Sequence, residues 1–194
     1  SAQAAAERIF GLLEEESEIK DKDEVIKKYG TAICPTDEKR PAIKGNVKFD
    51  DVSFWYKEGE PVLSGFNLDV EAGQTIALVG ATGAGKSTIV NLFCRFYEPK
   101  SGRILVDGID YTDMPESWIH ENLGYVLQSP HLFSGTIAEN IRYGKLDASD
   151  EEIIEAAKLV DAHDFIVKME KGYDTEVGEG GSLLSTGQKQ LVSF

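Results

Sequence analysis

Gly80-Ala81-Thr82-Gly83-Ala84-Gly85-Lys86-Ser87-Thr88 fits the pattern G-x-x-x-x-G-K-[ST], and its neighbours supply the context that the pattern requires. Before it, Thr75-Ile76-Ala77-Leu78-Val79 is a short apolar run suited to a buried parallel strand; after it, Ile89, Leu92, Phe93 and Phe96 recur at helical spacing. The stretch therefore predicts a strand, a glycine loop and a helix in that order. Such a loop gathers backbone N–H groups into a concave nest at a helix N-terminus, where the helix dipole adds positive potential for phosphate. Gly80, Thr82, Gly83, Ala84 and Gly85 are the candidate cradle, and the three glycines avoid a Cβ that would block close approach or forbid φ > 0. Lys86 is the candidate charge for the β and γ phosphates, Ser87 the candidate hydroxyl ligand of Mg²⁺, and Thr88 a helper at the α phosphate. The competing reading, a glycine-rich turn that matches by chance, has to treat the flanking strand and helix as coincidences as well.

The composition narrows the partners. With 194 residues and 41% apolar content the chain can bury one substantial core with a smaller attached subdomain. A net charge of −14, with no basic block, argues against nucleic acid as a partner and also opposes an incoming ATP, so any phosphate site has to build its own local positive field. Cys34 and Cys94 belong to no metal or disulfide pattern, and Cys94 reads as a small core residue in a reduced protein. No signal peptide is visible, and the longest apolar run falls far short of the roughly 18 residues a spanning helix needs.

Along the chain, residues 2 to 16 read as a helix with a stripe of Ala5, Ile9, Leu12 and Leu13. Residues 17 to 45 are charged and contain Pro35 and Pro41, which reads as a linker. Strands are expected around Val47 to Phe49 and Val52 to Tyr56 with an irregularity between them, then at Phe66 to Val70, at Arg103 to Val106 closing at Asp107-Gly108, and at Gly124 to Leu127, with a brief helix from Trp118 to Glu121. Beyond Gln128 the pattern turns all-helical, with Ser149 and Glu152 forming a capping box, and Thr175 to Ser182 reads as a glycine-rich acidic loop.

Four segments beyond the glycine loop resemble the nucleotide-binding domain of ATP-binding cassette (ABC) transporters of the exporter type, over about residues 46 to 194. Tyr56, ending Val52-Ser53-Phe54-Trp55-Tyr56, stands where that family stacks an aromatic on adenine. Gln128 matches its Q-loop glutamine, 132 to 141 is close to an exporter hallmark, and Leu184-Ser185-Thr186-Gly187-Gln188 resembles its signature sequence. The resemblance implies an α/β fold: a P-loop NTPase core with a mixed sheet flanked by helices, an antiparallel β subdomain, and an all-helical subdomain at about 129–184. It places a helix and linker at 1–45 behind a membrane domain.

It implies ATP and Mg²⁺ as ligands, with Lys86 and Gln128 in catalytic roles, Ser87 and Gln128 at the metal, and Ser185, Gly187 and Gln188 completing in trans the site of a second nucleotide-binding domain, in a homo- or heterodimer. The other implied partner is a transmembrane domain, which holds the chain at the cytoplasmic face of the membrane and contacts Gln128 to Phe133. Each assignment has a plainer rival. Tyr56 could be a core aromatic beside Phe54, Gln128 a polar strand end, Ser185 with Gln188 an ordinary capping box, and Thr175 to Gly181 a solvated turn. Thr186 stands where the family usually has glycine, and a β-branched residue there restricts φ and narrows the approach to phosphate.

The strand ending in Asp-Glu (the Walker B segment) and the switch histidine that the family uses after the signature are not among these residues. The expectation is therefore an ABC-type fold without its C-terminal catalytic half, and a 194-residue stretch inactive by itself. The leading reading is the ATPase engine of an exporter; the alternatives are a regulatory nucleotide-binding half of an asymmetric pair, and a soluble P-loop NTPase unrelated to transport.

Overall fold

Phe49, Val52 and Phe54 are almost wholly buried on β1 (Val47–Phe54) in the computed structural model, which describes residues 2–15, 17–127 and 129–194. The apolar spacing slips by one residue between Phe49 and Val52, and the structure shows why. Asp51 adopts a left-handed φ of 53°, a bulge that shifts the register and returns the apolar set to the same face. The bulge needs a glycine nearby: a Cβ on Gly102 would sit 2.3 Å from the Asp51 carbonyl oxygen. The expected irregularity is thus one continuous strand rather than two.

The sheet is four-stranded and antiparallel in the order β2-β1-β3-β4, with β2 at Leu63–Val70, β3 at Ser101–Val106 and β4 at Ile109–Asp110. Asp107 and Gly108, both at positive φ, make the two-residue turn that matches strand twist between β3 and β4. Burial works to raise the Asp107 pKa, but hydrogen bonds from the Lys44, Asn46 and Gly45 amides and the Asn46 side chain outweigh it and leave the carboxyl below its usual range. That clasp sets where β1 begins.

Against this sheet lie α3 (Lys86–Phe93), with Ile89 and Leu92 buried, and α4 (Glu116–His120), with Trp118 and Ile119 buried; all join one apolar core with Phe49, Phe54 and Ile104. α3 ends sooner than its apolar spacing suggests. Arg95 takes a left-handed φ of 55°, so Phe96 lies beyond the helix and is exposed, while Cys94 is buried and its thiol pKa is pushed up by that burial. Residues 1–123 form the first compact unit.

Three expectations are corrected. The stretch 17–45 is not featureless: α2 (Asp23–Tyr29) buries Val25 and Tyr29 in the core, and Asp21 accepts hydrogen bonds from the wholly buried Arg95 guanidinium at 3.1 Å and from the Glu116 amide at 2.9 Å. Only two apolar side chains anchor α2, too few for a periodic signal. Thr75 to Val79 is not a strand, and neither is Tyr125 to Leu127. Ladders need a partner offering complementary N–H and C=O groups, and among the described residues no strand ladder includes either run; Ile76 stays 48% and Val79 91% exposed. The α/β fold class holds among the described residues, with a four-stranded antiparallel sheet and with neither Thr75 to Val79 nor Tyr125 to Leu127 assigned to a strand.

The second unit, 124–194, is helical, with α5 (Ile137–Arg142), α6 (Asp150–Leu159), α7 (His163–Ile166) and α8 (Thr186–Ser193). Capping boxes start α5 (Thr136 with Glu139), α6 (Ser149 with Glu152) and α8 (Ser185 with Gln188). Its core gathers Leu132, Ile137, Ala157, Ile166, Val177 and Leu184. α1 (Ala2–Leu13) leaves Ile9, Phe10, Leu12 and Leu13 exposed, and among the described residues no helix is long and apolar enough to cross a membrane.

Candidate functional site

The turn from Gly80 to Gly85 is held by its own backbone. The Ala84 amide donates to the Ala81 carbonyl at 3.1 Å, Gly83 and Gly85 take φ of 86° and 81°, and the Ile89 amide closes the first helical bond on Gly85 at 3.0 Å. Gly83 and Gly85 thus need glycine for their dihedrals. Gly80 does not adopt positive φ, and its constraint is space: a Cβ there would meet the Ala84 Cβ at 3.2 Å. In this turn the Ala84 amide, one of the expected cradle donors, bonds within the loop instead.

The N-cap of α3 is Gly85, and no side chain caps the helix. The amides at the start of a helix have no partners within it, so this end is open to an anion. Lys86 lies over the turn, its ammonium donating to the Gly80 and Ala81 carbonyls at 2.8 Å each. Thr82 and Ser87 are exposed. The helix start and the Lys86 ammonium therefore meet at a surface turn, where they set a local positive potential against the negative total charge of the chain. The exposed Ser87 hydroxyl is a hard oxygen donor of the type Mg²⁺ prefers.

Tyr56 belongs to the same unit. It lies just past β1, 52% exposed, which separates it from the core reading that its neighbour Phe54 fulfils at 1%. Its ring meets Phe54 edge-on at 4.9 Å and Tyr97 at 5.1 Å, and its hydroxyl oxygen lies 3.2 Å from the Thr88 Oγ1 in the first turn of α3. Thr88 is 5% exposed. Nothing in the sequence foretold this link, because it joins residues 32 positions apart.

In the second unit Gln128 lies outside the described residues. The signature segment is in order: Leu184 is buried, the Ser185 Oγ accepts from the Gln188 amide at 3.3 Å, and the Gln188 Oε1 accepts from the Ser185 amide at 2.9 Å. A serine hydroxyl that caps as an acceptor keeps its proton for a second partner. Thr186 is the first residue of α8, exposed and without positive φ, so the backbone there does not require glycine. Gly187 has open space around it.

The exporter-like segment and the glycine-rich acidic loop are joined. The Val177 amide donates to the Gly135 carbonyl at 2.9 Å, the Ile137 amide donates to the Thr175 carbonyl at 3.0 Å, and Val177 is wholly buried. Thr175 to Gly181 is therefore a pinned loop and not a freely solvated turn. Asn140 clamps the other side, its Oδ1 accepting from the Phe133 amide and its Nδ2 donating to the Phe133 and Thr136 carbonyls. The T-x-x-E spacing of Thr136 and Glu139 was a legible capping signal, whereas the Asn140 clamp has no local signature.

The sequence pattern of the family described as "ABC transporter" matches residues 63–194, more than half of the chain. The chain belongs to the ABC transporter family. Among its ABC relatives, the uncharacterized ABC transporter ATP-binding protein YfiC of Bacillus subtilis is 47% identical over all of this chain, which corresponds to 30% of that protein. A Staphylococcus aureus protein named, provisionally, as a multidrug export ATP-binding/permease protein is 44% identical over 96% of the chain and 30% of its own length. A solved bacterial Atm1-family ABC exporter with ATP bound superposes with a TM-score of 0.83 at 39% identity, covering 97% of this chain and 31% of the exporter. This ABC chain spans about 30% of the length of the relatives it matches.

Proposed function

We propose that these residues form the ATP-binding and ATP-hydrolysing domain of an exporter, acting within a longer protein that also carries the membrane-spanning part. The observation that supports this most is the uncapped, glycine-opened start of α3 with the Lys86 ammonium above it, a site whose polar groups are matched by a triphosphate. In this reading the amides of 82, 83 and 85–88 and the Lys86 charge hold the phosphates of ATP. The Tyr56 ring stacks on adenine, a contact that any flat base can make.

Ser87 and Gln128 would hold Mg²⁺, which would supply charge neutralisation for the phosphates when bound. Lys86 spreads the remaining negative charge and Gln128 orients the attacking water. Ser185, Gly187 and Gln188 present a hydroxyl and a helix N-terminus to ATP held by a second nucleotide-binding domain, identical or not. In this reading the exposed Phe133, Tyr143 and Leu146, which share one groove, offer an apolar face to the transmembrane domain at the cytoplasmic side of the membrane.

The test uses the complete protein in lipid vesicles. Lys86→Ala is expected to weaken Mg-ATP binding and stop ATP-driven export; an unchanged ATP affinity overturns the assignment of this turn.

A further inference from the structure

A flat ring that stacks on a base is useful only if it stays at a fixed distance from the groups that hold the phosphates, and Tyr56 has the means to do so. Two edge-on neighbours wall it in. Phe54, at 4.9 Å and 89°, is rooted in the core, and Tyr97, at 5.1 Å and 89°, is itself packed against that core. The hydroxyl tether to Thr88 Oγ1 at 3.2 Å completes the set. A threonine in a helix commonly turns its hydroxyl back to the carbonyl three or four residues earlier. Here the hydroxyl meets Tyr56 instead, and because Thr88 is 95% buried, losing that partner would strand a polar atom away from water.

We infer that Thr88 is a positioning residue for the base-stacking surface: its hydroxyl fixes the Tyr56 ring, so that the first turn of α3 sets both the phosphate nest and the distance from it to the base. The inference rests on the reading of Tyr56 as the adenine platform. Its consequence is specific. Breaking the tether loosens recognition of the base, and Tyr56→Phe does so while leaving Thr88, the candidate helper at the α phosphate, in place.

The measurement is the ratio of Mg-ATP affinity to Mg-tripolyphosphate affinity in the complete protein, since tripolyphosphate is the same kind of tail without a base. Tyr56→Phe and Thr88→Val are each expected to narrow that ratio about five-fold, the worth of one neutral hydrogen bond. The double variant should be no worse than either single one, and Thr88→Ser, which keeps the hydroxyl, should restore the ratio. An unchanged ratio in Tyr56→Phe, or losses that multiply in the double variant, overturns the inference. Should Thr88→Val fail to fold, Tyr56→Phe set against Thr88→Ser decides in the same way. A wild-type protein that shows no preference for ATP over tripolyphosphate overturns instead the assignment of Tyr56 as the platform, and a protein that binds neither overturns the nucleotide site itself.

Discussion

α3 and α8 are both eight residues long, and both begin at segments singled out for phosphate, yet their first turns are built in opposite ways. α3 starts on a left-handed glycine with no capping side chain, and the nearest polar side chain, Lys86, is turned onto loop carbonyls. α8 starts on Ser185, whose capping box with Gln188 satisfies two backbone donors. The first turn of α3 is left wanting an anion, whereas that of α8 is stable by itself and still has a hydroxyl proton to offer. In the proposed reading, the first would be satisfied by its ligand and the second would stand ready for a ligand that another subunit brings.

The sharpest break is at Lys86. Lys86→Ala removes the ammonium and both of its bonds to the loop, and Mg-ATP affinity measured by calorimetry should fall roughly 100-fold, the worth of a strong charged contact. Next is Gly85→Ala, which places a Cβ at φ 81° and 3.1 Å from the Leu63 Cδ2; thermal or urea unfolding should show a loss of about 2 kcal/mol. Gly83→Ala, at φ 86° but with open space around it, should cost less, so the difference between the two isolates packing from backbone strain.

Ser185→Ala should lower stability by about 1 kcal/mol by removing the cap of α8, a loss for which α3 has no counterpart side chain to delete. The smallest effect belongs to Thr186→Gly. The position is helical and exposed, so the change should destabilise by less than about 1 kcal/mol; a clear gain in stability would show that threonine is strained there after all.

Legibility in the sequence followed the range of the forces involved. Glycine turns, capping boxes and alternating strands are decided within a few residues, which is why the turn at 80–88, the Ser149 and Ser185 caps and β2 could be read directly. Thr75 to Val79 misled because apolar composition reports suitability for burial, not the presence of a hydrogen-bonding neighbour, and the ladder that would make it a strand has no partner among the described residues. α2 was missed because its burial rests on Val25 and Tyr29 and its setting on the Asp21 to Arg95 bond, which joins positions 74 apart. At the site, the residue types were legible from the motif. The commitment of the Ala84 amide, the Lys86 contacts and the tether between Tyr56 and Thr88 were not, because they depend on how the chain closes in space.

The most direct test of the phosphate nest is hydrogen–deuterium exchange of the complete protein with and without saturating Mg-ATP, resolved over residues 80–88. Marked slowing of exchange from Gly85 to Thr88, where the helix start has no partners of its own, is the expected result. Exchange in that stretch that stays the same with nucleotide present would contradict it.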